Sequence, residues 1–174
     1  MKNRKTKFYC AVIALIVITW IPKSYAQTPD RDAINTMLDN WNKDAAASNF
    51  DAYFAALTDD AIFIGTDPTE IWTKTAFQKY AKPSFDKKQG WNFKSVERHI
   101  HFDNSGKIAW FDELLDTPNM KICRGSGVLE KIDGQWKIKQ YVLSMTIPNN
   151  DIKEIVKIVG PSQDLLLNNY LLKK

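Results

Sequence analysis

The run Trp110-Phe111-Asp112-Glu113-Leu114-Leu115 places two carboxylates inside an otherwise apolar stretch. A carboxylate in such company has two opposed fates. Loss of hydration raises its pKa and makes it a usable general base, whereas an adjacent Arg lowers it and makes an ion pair. Arg98 and Arg124 lie on the flanking segments, so Asp112 and Glu113 read first as paired acids, then as groups that orient a ligand, then as a base. His99 and His101 form a His-x-His pair, a spacing that puts both rings on one face of a strand. No H-E-x-x-H, Cys cluster or third ligand joins them, so no metal is assigned. Asp67 sits in a Gly65-Thr66-Asp67-Pro68 turn, where its carboxylate can cap backbone N–H groups. As a loop residue with Trp72 close behind, it is also a candidate ligand contact. Serine-hydrolase chemistry has no support, because no G-x-S-x-G elbow occurs and Gly125-Ser126-Gly127 lies within a strand pattern. No P-loop or dinucleotide fingerprint is present either, and no cofactor is expected.

The elements that must position these groups follow from periodicity. Ile34, Met37, Leu38, Trp41 and Ala45 recur at helical spacing after a Thr28-Pro29 start, and Ser48-Asn49 ends that helix. Phe50, Tyr53, Phe54 and Leu57 make a second short helix, Ala61 to Ile64 a short strand, and Thr73 caps a third helix that Pro83 disrupts. From Trp91 the period changes to two. Turns at Asn104-Ser105-Gly106, Thr117-Pro118-Asn119 and Asp133-Gly134 divide the segment into four antiparallel strands, roughly 91–103, 107–116, 121–132 and 135–147. Ile152, Ile155, Val156 and Val159 form an amphipathic helix that Gly160-Pro161 should stop, and the Leu-rich tail beyond reads as a helix packed on its own domain. Helices followed by a long antiparallel sheet define an α+β fold with a pocket between the two layers.

With tight turns, one sheet face carries Val96, Arg98, Ile100, Ile108, Trp110, Asp112, Cys123, Gly125, Ile138, Gln140, Val142 and Ser144 and is expected to line the pocket. The opposite face carries His99, His101, Phe111, Glu113, Arg124, Tyr141, Leu143 and Met145. On that register Asp112 lies near Arg98, and Glu113 near Arg124. The mixed character of the second face, with Tyr141, Leu143 and Met145, leads to the expectation of a homodimer.

The first 26 residues bound where the chain works. Lys2, Arg4, Lys5 and Lys7 precede an apolar run from Phe8 to Ile21, and Ser24-Tyr25-Ala26 supplies the small residues of a cleavage site. The run falls short of the roughly 20 apolar residues that span a bilayer, so it reads as a signal peptide and the protein as exported, periplasmic or secreted, with no stable membrane insertion after cleavage. Cleavage removes five of the 24 Lys and Arg and none of the 20 Asp and Glu, which takes the net charge from +4 to near −1. The basic pI therefore belongs to the leader, and nothing in the remainder marks a nucleic-acid partner. Cys10 leaves with it, so Cys123 is the one mature cysteine and cannot form an internal disulfide.

A set of motifs is more specific. Phe63-Ile64-Gly65-Thr66-Asp67-Pro68 with Ile71-Trp72, Ala109-Trp110-Phe111-Asp112-Glu113, Arg124-Gly125-Ser126-Gly127-Val128-Leu129, and Gly134-Gln135-Trp136-Lys137-Ile138 leading to Leu143-Ser144 resemble the SnoaL-like branch of the nuclear transport factor 2-like superfamily. The resemblance runs from about Asp30 to Pro148. It implies a cone-shaped α+β fold in which a curved sheet wraps N-terminal helices, frequent homodimers and a pocket inside the cone. Together with the leader and the C-terminal helix pattern, the chain divides into residues 1–26 as signal peptide, 27–148 as the domain and 149–174 as a C-terminal helix and tail. It fixes no reaction, because the same cone holds isomerases, cyclases, dehydratases and noncatalytic binders. Many relatives carry a His two residues before the Ser of the last strand. This chain has Val142 there, and no catalytic residue is carried over. The expectation is a binder of a small, largely apolar molecule, the alternative a cofactor-independent lyase, isomerase or cyclase with a carboxylate base. Candidate ligand contacts are Asp67, Trp72, Arg98, Trp110, Asp112, Glu113, Arg124 and Ser144. N-terminal sequencing of the exported protein should give Gln27 as its first residue; a membrane-held form that retains Met1 would refute the cleavage reading.

Overall fold

The computed structural model describes residues 23–172; the basic start and apolar run of the leader lie outside them. Three helices come first, α1 (Lys23–Ala47), α2 (Phe50–Ala55) and α3 (Lys74–Asp86), interleaved with strands β1 (Leu57–Ile64) and β2 (Ile71–Thr73). The long strands β3 (Lys94–Phe102), β4 (Ile108–Thr117), β5 (Lys121–Ile132) and β6 (Gln135–Met145) follow, then α4 (Ile152–Leu171). The strands form one curved, unclosed sheet in the order β2-β1-β6-β5-β4-β3. All neighbours are antiparallel except β1 and β6, which run parallel.

Local chemistry accounts for the joints. Ser48 takes a left-handed φ of 56° that ends α1, and the Thr73 hydroxyl accepts the Ala76 N–H at 3.3 Å to cap α3. Pro83 lies in the last turn of α3 and does not interrupt it. The concave face of the sheet closes on α1–α3 through Ile34, Leu38 and Trp41 of α1, Tyr53 and Phe54 of α2 and Phe77, Ala81 and Phe85 of α3, all buried.

Two strands present the faces opposite to those expected. In the β3–β4 loop the Asp103 carboxylate accepts the backbone N–H groups of Ser105 (3.1 Å), Gly106 (2.9 Å) and Ile108 (3.2 Å), and Gly106 adopts φ 69°. Hydrogen bonding, first from Ser105, holds the Asp103 carboxyl down at about 2. The loop so built sets Phe102 opposite Ala109 and hence Arg98 opposite Glu113, one residue from the tight-turn register. Phe111, Glu113 and Leu115 therefore face inward, and Trp110 and Asp112 face out. In β6 the register steps at Lys139, so the inward set changes from Trp136 and Ile138 to Tyr141 and Leu143. Tyr141 and Leu143, which made the outer face look apolar, are thus core residues.

A third difference lies at the C terminus. The helix continues through Pro161 to Leu171. Gly160 has no Cβ to clash with the proline ring, and the carbonyl that loses its N–H partner lies on a helix with no buried residue, where water can reach it. The tail is helical, as expected, but not packed into the domain: Val156, Ile158, Leu165, Leu167 and Leu171 are exposed.

Tight packing over β5 depends on two glycines. A Cβ at Gly125 would collide with the Tyr141 hydroxyl, and one at Gly127 with the Gln140 carbonyl. Gly125→Ala should lower stability in urea by about 1–3 kcal/mol, the usual cost of overpacking. In Tyr141→Phe background the same substitution should cost clearly less; equal costs in both backgrounds would show that the hydroxyl is not what Gly125 accommodates.

Candidate functional site

At the centre of the concave face β3 and β4 bring Arg98 against Glu113. Arg98 donates Nε (2.9 Å) and Nη2 (2.8 Å) to the same Glu113 oxygen, Oε2. Its Nη1 reaches α1, donating to the Asn35 carbonyl (3.3 Å) and side-chain oxygen (3.2 Å) and to Asp39 (3.0 Å). The Glu113 side chain has no exposed surface and that of Arg98 is 6% exposed. Glu113 Oε1 is left without a partner, as are two other buried polar atoms, Trp41 Nε1 and Asn42 Nδ2. Burial pushes the Glu113 carboxyl up from its ordinary value, and Arg98 and the Ser95 hydroxyl only partly oppose this.

Toward the β1–β2 end the concave side opens into a cavity of about 190 Å³. Phe63 of β1, Trp72 of β2, Phe77 and Tyr80 of α3, Trp91 and Phe93 of the segment before β3, Met120 of the β4–β5 turn and Leu143 of β6 make its apolar wall. Gly65, Thr66, Glu70 and Asn119 supply its polar edge. The rings lie nearly parallel: Phe77 stacks with Trp91 at 5.6 Å and 4°, with Trp72 at 5.6 Å and 16°, and with Phe63 at 3.9 Å and 19°. Such offset stacks hold the wall in one arrangement.

The structure separates the eight candidate residues. Trp72 lines the cavity; Arg98 and Glu113 form the buried pair deeper in the sheet. Asp67 caps its own loop, accepting the Thr69 N–H (2.8 Å) and hydroxyl (2.5 Å), and borders an open groove against α4. The remaining four lie on the outer face. Trp110 stacks on His101 at 5.8 Å, Asp112 meets His99 (3.2 Å) and Arg124 (3.3 Å), and Ser144 is exposed. The Asp112–Arg98 and Glu113–Arg124 neighbours of the tight-turn register are thus exchanged. Among the described residues no group of three metal-binding side chains occurs. Most cavity residues carried no distinguishing signal: Phe77 and Tyr80 fit an ordinary apolar helix stripe, and no motif singled out Glu70.

With this geometry established, comparison with known proteins defines the class. The model of the SnoaL-like domain matches residues 34–148, and the chain belongs to that family. A function-unknown protein from Mycobacterium tuberculosis shares the fold with a TM-score of 0.62 and 14% identity over 76% of this chain and 81% of its own. An NTF2-like protein of unknown function from Pseudomonas putida KT2440 matches with 0.60 and 14% over 70% and 90%. A protein provisionally called a scytalone dehydratase, from Novosphingobium aromaticivorans, matches with 0.58 and 17% over 71% and 89%. At these identities the likeness is one of fold. No curated protein matches the chain.

The raised Glu113 carboxyl makes stability depend on pH in a defined sense. The folded protein holds that proton more tightly than the unfolded chain does, so this group's contribution is fully present below its ordinary 4.5 and is lost as pH rises through the raised value. Glu113→Gln should remove that component, visible as a wild-type-minus-variant difference in urea midpoints that falls as pH rises above 4.5; parallel curves would refute it. Arg98→Ala should cost about 3–5 kcal/mol near neutral pH, because it strands a buried carboxylate.

Proposed function

We propose that this SnoaL-like protein is exported and binds a small, largely apolar molecule in its cone without catalysis. The observation that carries the reading is the cavity wall itself: six aromatic side chains with Met120 and Leu143 around about 190 Å³. Enclosed apolar cavities of about 150 Å³ accept a single aromatic ring, so a one-ring molecule matches the space. The wall is preformed, since the rings are fixed by stacking on one another and on the core, which lowers the ordering cost of binding.

The alternative, proton transfer by a buried carboxylate, has one observation in its favour, the unpartnered Oε1 of Glu113 with its carboxyl pushed up. Against it, Glu113 borders none of the cavities described above, and its other oxygen is taken twice by Arg98. A base must reach the proton it removes. The relative provisionally called a scytalone dehydratase shares the fold at 17% identity, which leaves its chemistry with that protein.

Toluene near saturation should raise the melting temperature by about 3 °C through linkage. Met120→Trp, which fills the cavity from a half-buried turn position, should fold and lose that shift. Absence of a shift in the wild type, or an equal one in the variant, would overturn the reading.

A further inference from the structure

We propose that the ligand of this cavity is a small organic ammonium ion, its charge held by the Glu70 carboxylate and by the surrounding aromatic faces. The proposal rests on the binding reading above and adds the chemical class. Among the described residues that line the cavity Glu70 is the one that carries a formal charge; none of them is Lys, Arg or His. Glu70 is half-buried and, among the described residues, takes part in no ion pair. Its Oε2 accepts the backbone N–H of Asp67 at 3.2 Å, the one hydrogen bond found for this carboxylate. The neighbouring acid is more fully satisfied, since Asp67 Oδ1 accepts both the N–H and the hydroxyl of Thr69.

The backbone keeps Glu70 at the cavity edge. Gly65 donates its N–H to the Glu70 carbonyl at 2.9 Å, and a Cβ on Gly65 would occupy the place of the Glu70 carboxylate. A bare glycine therefore makes room for an acid against a wall of rings. An unpaired carboxylate with part of its hydration removed favours a cation, and the negative faces of Trp and Tyr rings attract the same charge. Trp72, Tyr80 and Trp91 are the Trp and Tyr rings of the wall, the ring types best suited to this contact. An anionic ligand would meet the same acid with no cation to offset it. The mixed groove between α1 and β3 differs, because Lys43 and Lys94 line it together with Asp39, which is itself paired with Arg98.

The test holds the ring constant and changes the head: benzylamine, which is a cation at neutral pH, benzyl alcohol and benzoate, each titrated calorimetrically into the protein. Benzylamine should bind about tenfold or more tighter than benzyl alcohol, and benzoate weakest of the three. Glu70→Gln should bring benzylamine down to the level of benzyl alcohol and leave the alcohol unchanged, since an amide oxygen can still accept the Asp67 N–H. Equal binding of amine and alcohol, tighter binding of benzoate, or an amine-to-alcohol ratio untouched by Glu70→Gln would overturn the ammonium proposal while leaving the apolar cavity intact. Failure of all three compounds to bind would overturn this proposal, and, where toluene also gives no shift, the binding reading as well.

Discussion

The Arg98–Glu113 pair is the constraint around which the cone is arranged. Two charges removed from water cost several kcal/mol each, and they persist only where geometry and further hydrogen bonds offset that cost. Here the offset comes from three elements at once: β3 supplies the guanidinium, β4 the carboxylate, and α1 a carbonyl, an amide oxygen and the Asp39 carboxylate. The pair thereby fixes where α1 crosses the sheet and which residues of β3 and β4 stand opposite each other. A slip of one residue would put Asp112 inside and Glu113 outside and leave the guanidinium without its two hydrogen bonds to one oxygen. The neighbouring strand is shaped to the same end, since Gly125 gives the Tyr141 hydroxyl and the Glu113 stem space that any side chain would fill.

Beyond this charged centre the interior is aromatic. Phe63, Phe77, Trp91 and Trp72 stack in nearly parallel array, and Trp41, Tyr53 and Tyr141 continue it toward the ion pair, with Trp41 stacked on Tyr53 at 4.9 Å and edge-on to Tyr141 at 4.8 Å. Large rings leave gaps where their edges meet, and the cavity lies where this array ends against the β1–β2 loop. Its character follows from position: apolar where helices and sheet supply the wall, polar where the loop from Gly65 to Glu70 forms the edge.

The convex face is organised differently. His99 bridges Glu97 and Asp112, and Arg124 joins Asp112, all with substantial solvent contact. Pairing with Asp112, then with Glu97, pushes the His99 pKa up, so the imidazolium form is favoured there. Such pairs contribute little in solvent. Trp110, half-exposed beside them, and the uncovered apolar residues of α4 belong to surfaces that the cone interior does not use.

Much of this architecture is local and was legible in the sequence. The strand bounds follow turn chemistry and a period of two, which is why β5 and the start of β6 fall at the expected residues, and the helices follow 3.6-residue spacing with a side-chain cap at α3, although α1 begins at Lys23 and runs through Pro29 rather than starting at Thr28-Pro29. The resemblance to the SnoaL-like family likewise rests on short motifs that survive in the chain. The faces were a different matter, because they depend on counts that one residue inverts. The Asp103-capped loop and the step at Lys139 each add such a residue, and neither changes the alternation visible in the strand itself. For the same reason the sequence alone named Trp72 in the cavity but not Glu70, Phe93 or Met120. Those residues come from three separate loops and connections, and only closure of the sheet over the helices brings them together. Composition and periodicity are properties of neighbours along the chain; a binding cavity is a property of neighbours in space.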